Sequence, residues 1–307
     1  MEKVKFKLQV ITPLMMGGAN HREELRTQSF NGVFRWWFRI AGGSLEDERR
    51  IFGWAGSPKA IRRGLVSLWF ENSGRPSAVL PVEGENLKSI GDFVKWRSGL
   101  RYLAFPTLFQ GNERKALVPN YEFTLVVGFH PMAGDEDVRE FMATVWLSFN
   151  LGNFGYRSRR GFGSLKVIGV EGNTKGFSFA PPQGGIEDWI RKNINLIGQV
   201  FPLPHRDTDK PHIDGIYLYA GGREFDPLET LNRMAEGYKR RRKGLRKHER
   251  VFLGLPGVRR ASPVYFKVFG NGQGIFVVLG GKFLPDKGNV PTETVKRALP
   301  VGGKIWP

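Results

Sequence analysis

An α+β fold is what this chain predicts, on three observations: apolar residues alternate strictly over 4–10 and 121–127, they recur at helical spacing over 138–149, and helix and strand patterns resume beyond residue 185. With 307 residues, 40% of them hydrophobic and 13% aromatic, the chain has the length for about two domains and enough apolar surface for packed cores. Disorder is not expected.

In the first strand, Val4, Phe6, Leu8 and Val10 alternate with Lys5, Lys7 and Gln9, giving one buried face and one wet, basic face. It ends at Ile11-Thr12-Pro13, and residues 15–20 read as a glycine-bearing loop. A helix is predicted over 31–41, with Val33, Phe34, Trp36, Trp37, Phe38 and Ile40 on a broad apolar face and Arg35 and Arg39 on the narrow remainder. The aromatic members read as core rather than as a base-stacking platform. Residues 64–70 make a second strand, 71–118 an insertion, and 121–127 a third strand. Asp135-Glu136-Asp137 opens the clearest helix, acidic at its positive dipole end, and residues 165–170 supply a fourth strand.

This order of strand, helix, strand, strand, helix, strand is the ferredoxin-like, RRM-like βαββαβ layout, placed at residues 1–175. Pro181-Pro182-Gln183-Gly184-Gly185 reads as a linker. Beyond it, a helix over 186–197, a helix capped by Asp226-Pro227, and a hairpin across Gly270-Asn271-Gly272 form a second αβ domain, 176–307.

Charge narrows the function. Lys+Arg number 47 and Asp+Glu 29, a net +18, and such self-repulsion makes sense when the partner is a polyanion, with nucleic acid ahead of an acidic membrane. No signal peptide and no apolar stretch long enough to span a bilayer is read, so a soluble, cytoplasmic protein is expected. The absence of cysteine excludes disulfides, thiolate nucleophiles, Cys-ligated zinc and iron–sulfur clusters.

Residues 239–250 hold eight Lys or Arg among twelve, including Lys239, Arg240, Arg241, Arg242, Lys243 and Arg246, a composition suited to phosphates or, more blandly, to a solvated surface. Arg157, Arg159, Arg160 and Lys166 flank Gly161 and Gly163, where a backbone without Cβ atoms approaches phosphates closely. Arg22 and Arg26, with Arg35 and Arg39, make a basic rim beyond the first strand. Replacing Arg35, Arg39 and Arg160 is expected to weaken RNA binding without changing melting. Neither a dinucleotide fingerprint nor a P-loop occurs. The 205–212 segment groups His and Asp but reads as a polar loop, not a metal site. His21 is a candidate general base for RNA cleavage, with no second catalytic group to pair with.

Three stretches together carry a resemblance: Ile11-Thr12-Pro13-Leu14 leading to Gly17-Gly18; Arg26, Ser29, Gly32, Arg35, Trp36, Trp37 and Arg39 at fixed spacing; and Ser158-Arg159-Arg160-Gly161-Phe162-Gly163-Ser164. They resemble the RAMP superfamily of CRISPR proteins. With Ile51-Phe52-Gly53 and Arg259-Arg260-Ala261-Ser262-Pro263, they are similar within it to the family of first Cmr subunits of type III-B effectors. That resemblance implies two ferredoxin-like domains packed together, a glycine-rich loop after the last helix of the first, and no nuclease activity of its own; no cofactor is expected. It implies a place at one end of an antiviral ribonucleoprotein, beside other RAMP subunits and near the guide RNA 3′ end. Gly17, Gly18, Arg26, Arg35, Trp37, Arg39, Arg160, Gly161 and Gly163 occupy its motif positions. The expected function is non-catalytic binding of single-stranded guide or target RNA. The alternative is a metal-independent RAMP endoribonuclease using His21 on precursor guide RNA.

Overall fold

The computed structural model describes residues 2–18, 23–56, 61–72, 74–109, 114–182, 184–201, 210–222, 226–254, 261–282 and 289–307. His21, Arg22, Arg259 and Arg260 lie outside them.

Strands β1 (Lys3–Val10), β2 (Val66–Asn72), β3 (Glu122–Phe129) and β4 (Leu165–Glu171) form an antiparallel sheet in the order β4-β1-β3-β2, with Arg75–Ser77 added at the β2 edge. The register runs from Lys3 opposite Gly128 to Gln9 opposite Glu122. Period-two alternation does what it predicts: Val4, Phe6, Leu8 and Val10 are fully buried. The opposite face is not simply basic, because Lys5 pairs with Glu71 and Lys7 with Glu122, each at 2.8 Å. These acids come from other strands of the sheet, Glu122 from the adjacent β3 and Glu71 from β2 beyond it, which a one-strand pattern does not reveal.

The connection after β1 holds helix α1 (Thr27–Ile40) and a second helix, α2 (Leu45–Phe52); Ser44 caps α2 by accepting the Asp47 amide. α1 begins four residues before the predicted 31, directly after the short strand Glu24–Arg26, whose last residue is extended and starts the helix. Within the insertion, α3 (Ser98–Ala104) packs on the C-terminal half, where Gly99 donates its amide to Asn232 Oδ1 at 2.9 Å. After β3 comes α4 (Asp135–Asn150), buried on nearly every side from Val138 onward. One flank meets the sheet through Phe6 and Phe149, ring centroids 5.5 Å apart, and another meets α5 (Glu187–Gly198) through Trp146 and Trp189 at 5.3 Å.

A second antiparallel sheet follows: β5 (His212–Tyr219), β6 (Val264–Val268), β7 (Gly274–Gly280) and β8 (Val301–Trp306), in the order β6-β7-β5-β8. Helix α6 (Pro227–Lys243) follows β5, and two short helices, α7 (Lys247–Val251) and α8 (Thr292–Arg297), precede β6 and β8. Asp226 accepts the Leu228 amide and Pro227 opens α6, as the sequence predicts. Counted within its own half, each sheet runs fourth, first, third, second.

Apolar packing crosses from one sheet to the other. Trp37 of α1 lies against Tyr265 of β6 with centroids 5.3 Å apart. One apolar cluster joins Phe6, Phe34 and Trp146 to Ile216 and Ile305, and another joins Leu100 and Phe162 to Leu231 and Phe266.

Candidate nucleic-acid interface

Between α4 and β4 the chain makes a glycine turn pinned from both sheets. Gly155, Gly161 and Gly163 and also Arg157 have positive φ, at 77°, 84°, 74° and 61°. Thr12 Oγ1 donates to the Gly161 carbonyl at 2.6 Å and accepts the Ser164 amide at 2.9 Å. Asn153 donates to Ser158 O at 2.7 Å and, across the junction, to Phe266 O at 2.8 Å. A Cβ on Gly161 would meet Leu231, and one on Gly163 the Phe154 carbonyl. The turn therefore uses its glycines for close packing inside the protein, and its arginines project from a rigid base.

Those arginines line a cleft of about 800 Å³. Arg157, Arg159 and Arg160 from the turn and Arg242 from α6 share it with Tyr102, Phe105 and Tyr156. Arg157 Nε donates to Leu103 O at 2.7 Å, and burial, helped by Arg160 alongside, pushes its pKa down to about 10. Arg159 donates to Ser262 O at 2.7 Å beneath the rings of Trp36 and Tyr265. Arg160 reaches Leu253 O at 3.3 Å and lies over Tyr238; Arg242 donates to Tyr102 Oη at 2.7 Å and Gly254 O at 2.8 Å. Among the described residues no carboxylate pairs with Arg157, Arg160 or Arg242. Carbonyl oxygens orient these guanidinium groups while leaving their charge uncompensated, the arrangement an anion needs.

A smaller hollow of about 410 Å³ adjoins this cleft, lined by Gly17, Gly18, Ser29, Arg114 and Lys115, and Tyr156 belongs to both. On α6, Lys239, Arg240 and Lys243 face a third hollow of about 530 Å³ with Ser98 and Glu236. Half of the eight cations in the basic run, Arg240 to Lys243, form the last turn of α6, where they complement the negative dipole end, and the run continues into α7. Arg241 and Arg246 are exposed, Arg246 reaching Glu249 at 3.5 Å.

Other motif residues sit elsewhere. Trp37 is fully buried, so its ring meets a base only if the fold opens. Arg26 pairs with Glu24 at 3.4 Å. Arg35 and Arg39 converge on buried Glu48: Arg35 Nη1 donates to it at 3.0 Å, Arg39 Nε and Nη2 each at 2.6 Å, and Arg35 also caps α2 through Phe52 O and Gly53 O. Burial by itself raises the Glu48 carboxyl pKa, but the hydrogen bonds from Arg39 and Arg35 outweigh it and hold the pKa below the ordinary glutamate value.

The contacts of Arg35 with Glu48, Phe52 O and Gly53 O make it a structural residue, so its removal is expected to lower melting, where the sequence alone led to no change. Arg35→Ala is expected to cost about 2–4 kcal/mol by leaving a buried carboxylate short of a partner, measured by urea unfolding. The Glu48 contribution is present above the ordinary glutamate pKa and lost as pH falls through its lower folded value. The stability gap between wild type and variant is thus expected to narrow in acid, and an unchanged urea midpoint at neutral pH refutes this assignment.

Sequence reasoning missed Tyr102, Phe105 and Tyr156. Tyr156 directly precedes the arginine motif, and Tyr102 and Phe105 belong to the 71–118 insertion, but only tertiary packing brings them together. Among the described residues no group of three or more His, Asp or Glu is placed to hold a metal ion, and no helix is long and apolar enough to cross a membrane.

Two antiparallel sheets thus meet at a glycine turn whose Arg157 and Arg160 face no described carboxylate; the RAMP superfamily model matches residues 7–166, and the chain belongs to the RAMP superfamily. Within that superfamily it is Cmr1-like. It is 34% identical over 180 residues to CRISPR system Cmr subunit Cmr1-2 of Pyrococcus furiosus, spanning 53% of this chain and 93% of that protein. It is 24% identical to Cmr1-1 of the same organism, over 91% of this chain and 84% of that one. The crystal structure of apo Cmr1 from Pyrococcus furiosus matches the fold with a TM-score of 0.68 at 21% identity, covering 100% of this chain and 99% of that one. A chain in a cryo-EM structure of the type III-B Cmr-beta complex bound to cognate target RNA matches at 0.59 and 13% identity, covering 98% of each.

Proposed function

We propose that this chain is a non-catalytic RNA-binding subunit of a type III-B Cmr complex in antiviral defence. It comprises two ferredoxin-like domains, 1–175 and 176–307, acts in the cytoplasm beside other RAMP subunits, and uses no cofactor. The strand order shared by the two sheets supports the domain reading, and the Cmr1 relatives support the assembly. The observation that carries RNA binding is the cleft where Arg157, Arg160 and Arg242 hold charge that no described carboxylate cancels. Single-stranded guide or target RNA runs along it, past Tyr156 toward Gly17 and Gly18, held by shape and phosphate while base pairing supplies sequence.

The test follows labelled single-stranded RNA across a salt series in EDTA, reading binding and cleavage together. Wild type is expected to bind with a steep salt dependence and to leave the RNA intact. The double variant Arg160→Gln/Arg242→Gln removes two phosphate partners, so affinity is expected to fall by roughly tenfold or more and the slope of log K against log salt to shrink by about 1.4. Unchanged affinity and slope refute the cleft; specific cleavage refutes the non-catalytic reading and turns attention to His21.

A further inference from the structure

Two aromatic rings of the arginine cleft are left in solvent, Phe105 at 58% exposed and Tyr156 at 50%, and Phe109, packed against Phe105, is 49% exposed. The core does not need them, since Phe149, Phe154 and Phe162 on the same chain are almost completely buried. They are also well supported. Phe105 begins the short 3₁₀ turn Phe105–Thr107 that closes α3, and Phe109 meets it edge-on with centroids 4.8 Å apart. Tyr156 stands immediately before Arg157, with the Arg114 guanidinium 5.8 Å over its ring. Phe105 and Tyr156 line one cleft with Arg157, Arg160 and Arg242.

A lone exposed aromatic says little. Aromatic faces beside guanidinium groups that no described carboxylate pairs are different, because that pairing matches both halves of an unstacked nucleotide. The ring takes the flat face of the base and the cation takes the phosphate. A duplex offers the phosphates but keeps its base faces inside its own stack. A protein strand or helix would bring apolar side chains to the rings but no regular anion to Arg157, Arg160 and Arg242.

We infer that Phe105 and Tyr156 form a base-stacking step, with Phe109 buttressing Phe105, that makes this cleft selective for unpaired RNA over duplex. The inference rests on the RNA-binding reading above and adds which residues hold bases and so make the cleft prefer the unpaired strand.

The experiment uses the full chain and three probes: an unstructured oligoribonucleotide, the same strand annealed to its complement, and the same backbone with its bases removed. Wild type is expected to prefer the first by about 10- to 100-fold. A 2-aminopurine in that strand is expected to be quenched on binding. Phe105→Leu/Tyr156→Leu, both at exposed positions, is expected to melt like wild type, lose that preference and the quenching, keep its salt slope, and bind the duplex and the abasic strand unchanged. A wild type that binds duplex as tightly as single strand overturns the inference, as does a variant that keeps the preference. A variant that keeps its RNA affinity but fails to assemble with other subunits also overturns it, in favour of a protein contact. The Arg160→Gln/Arg242→Gln variant in the same titration separates the two readings. If it weakens RNA binding and the aromatic variant does not, only the stacking step fails. If neither weakens it, RNA binding in this cleft fails.

Discussion

Gly163→Ala is expected to destabilise the protein by about 3–5 kcal/mol, on the order of 10 °C in Tm. Gly163 has φ 74°, a left-handed conformation that costs an ordinary L-residue about 1–2 kcal/mol. The larger part is steric. An added Cβ would sit 1.9 Å from the Phe154 carbonyl oxygen and 2.9 Å from Leu14 Cδ1. The carbonyl is backbone and cannot rotate away, because the Phe154 amide itself donates to Gly163 O at 3.0 Å and the Gly163 amide donates to Pro13 O at 3.0 Å. Any shift spreads into Thr12 and Asn153 and so into both sheets. Gly32→Ala serves as the control, for Gly32 is on α1 with nothing within 4 Å of the added Cβ. That substitution is expected to be neutral or stabilising by about 0.5–1 kcal/mol. Thermal or urea unfolding compares the two, and equal midpoints refute the account of the turn.

The second large effect concerns pH. Lys267 on β6 is fully buried, its Nζ donating to Gly152 O at 3.0 Å and Leu165 O at 3.4 Å, with no carboxylate partner among the described residues. Burial pushes its pKa down from the ordinary 10.5 to about 7. Between those values the unfolded chain holds a proton that the folded chain has released, so stability rises with pH across that window, by at most about 1.4 kcal/mol per pH unit. Below about 7 both states carry the proton, and the contribution stays at its least favourable level. Wild type is therefore expected to gain stability from pH 7 to pH 9 relative to Lys267→Met. The substitution also leaves two carbonyls without a donor, costing about 1–3 kcal/mol, so the decisive reading is the difference between the two pH curves. Parallel curves overturn the assignment.

The location of Lys267 shows what the chain's pattern left hidden. The sequence places it in a hairpin strand, and nothing local separates it from a surface lysine. It is buried because Gly152 and Leu165, from the first half, close over it. The same contrast runs through the arginines. Arg35 and Arg39 occupy the polar stripe of an amphipathic helix and were expected to face RNA, yet α2 brings Glu48 to them. Arg160 and Arg242 are 82 residues apart in number and belong to separate patterns, yet they line one cleft.

Local periodicity and local chemistry determined what could be read directly. Alternation defined β1 and β3, helical spacing and an acidic first turn defined α4, and Asp226-Pro227 defined the start of α6, because each depends on neighbours a few residues away. The short glycine and arginine motifs sufficed for the superfamily. The sequence could not say which arginines keep a free charge, which aromatic rings stay in solvent, or that the insertion builds one wall of the cleft. Those outcomes depend on which distant carbonyl, carboxylate or apolar face comes within a few ångströms, and only the packing of the two sheets around the glycine turn decides that.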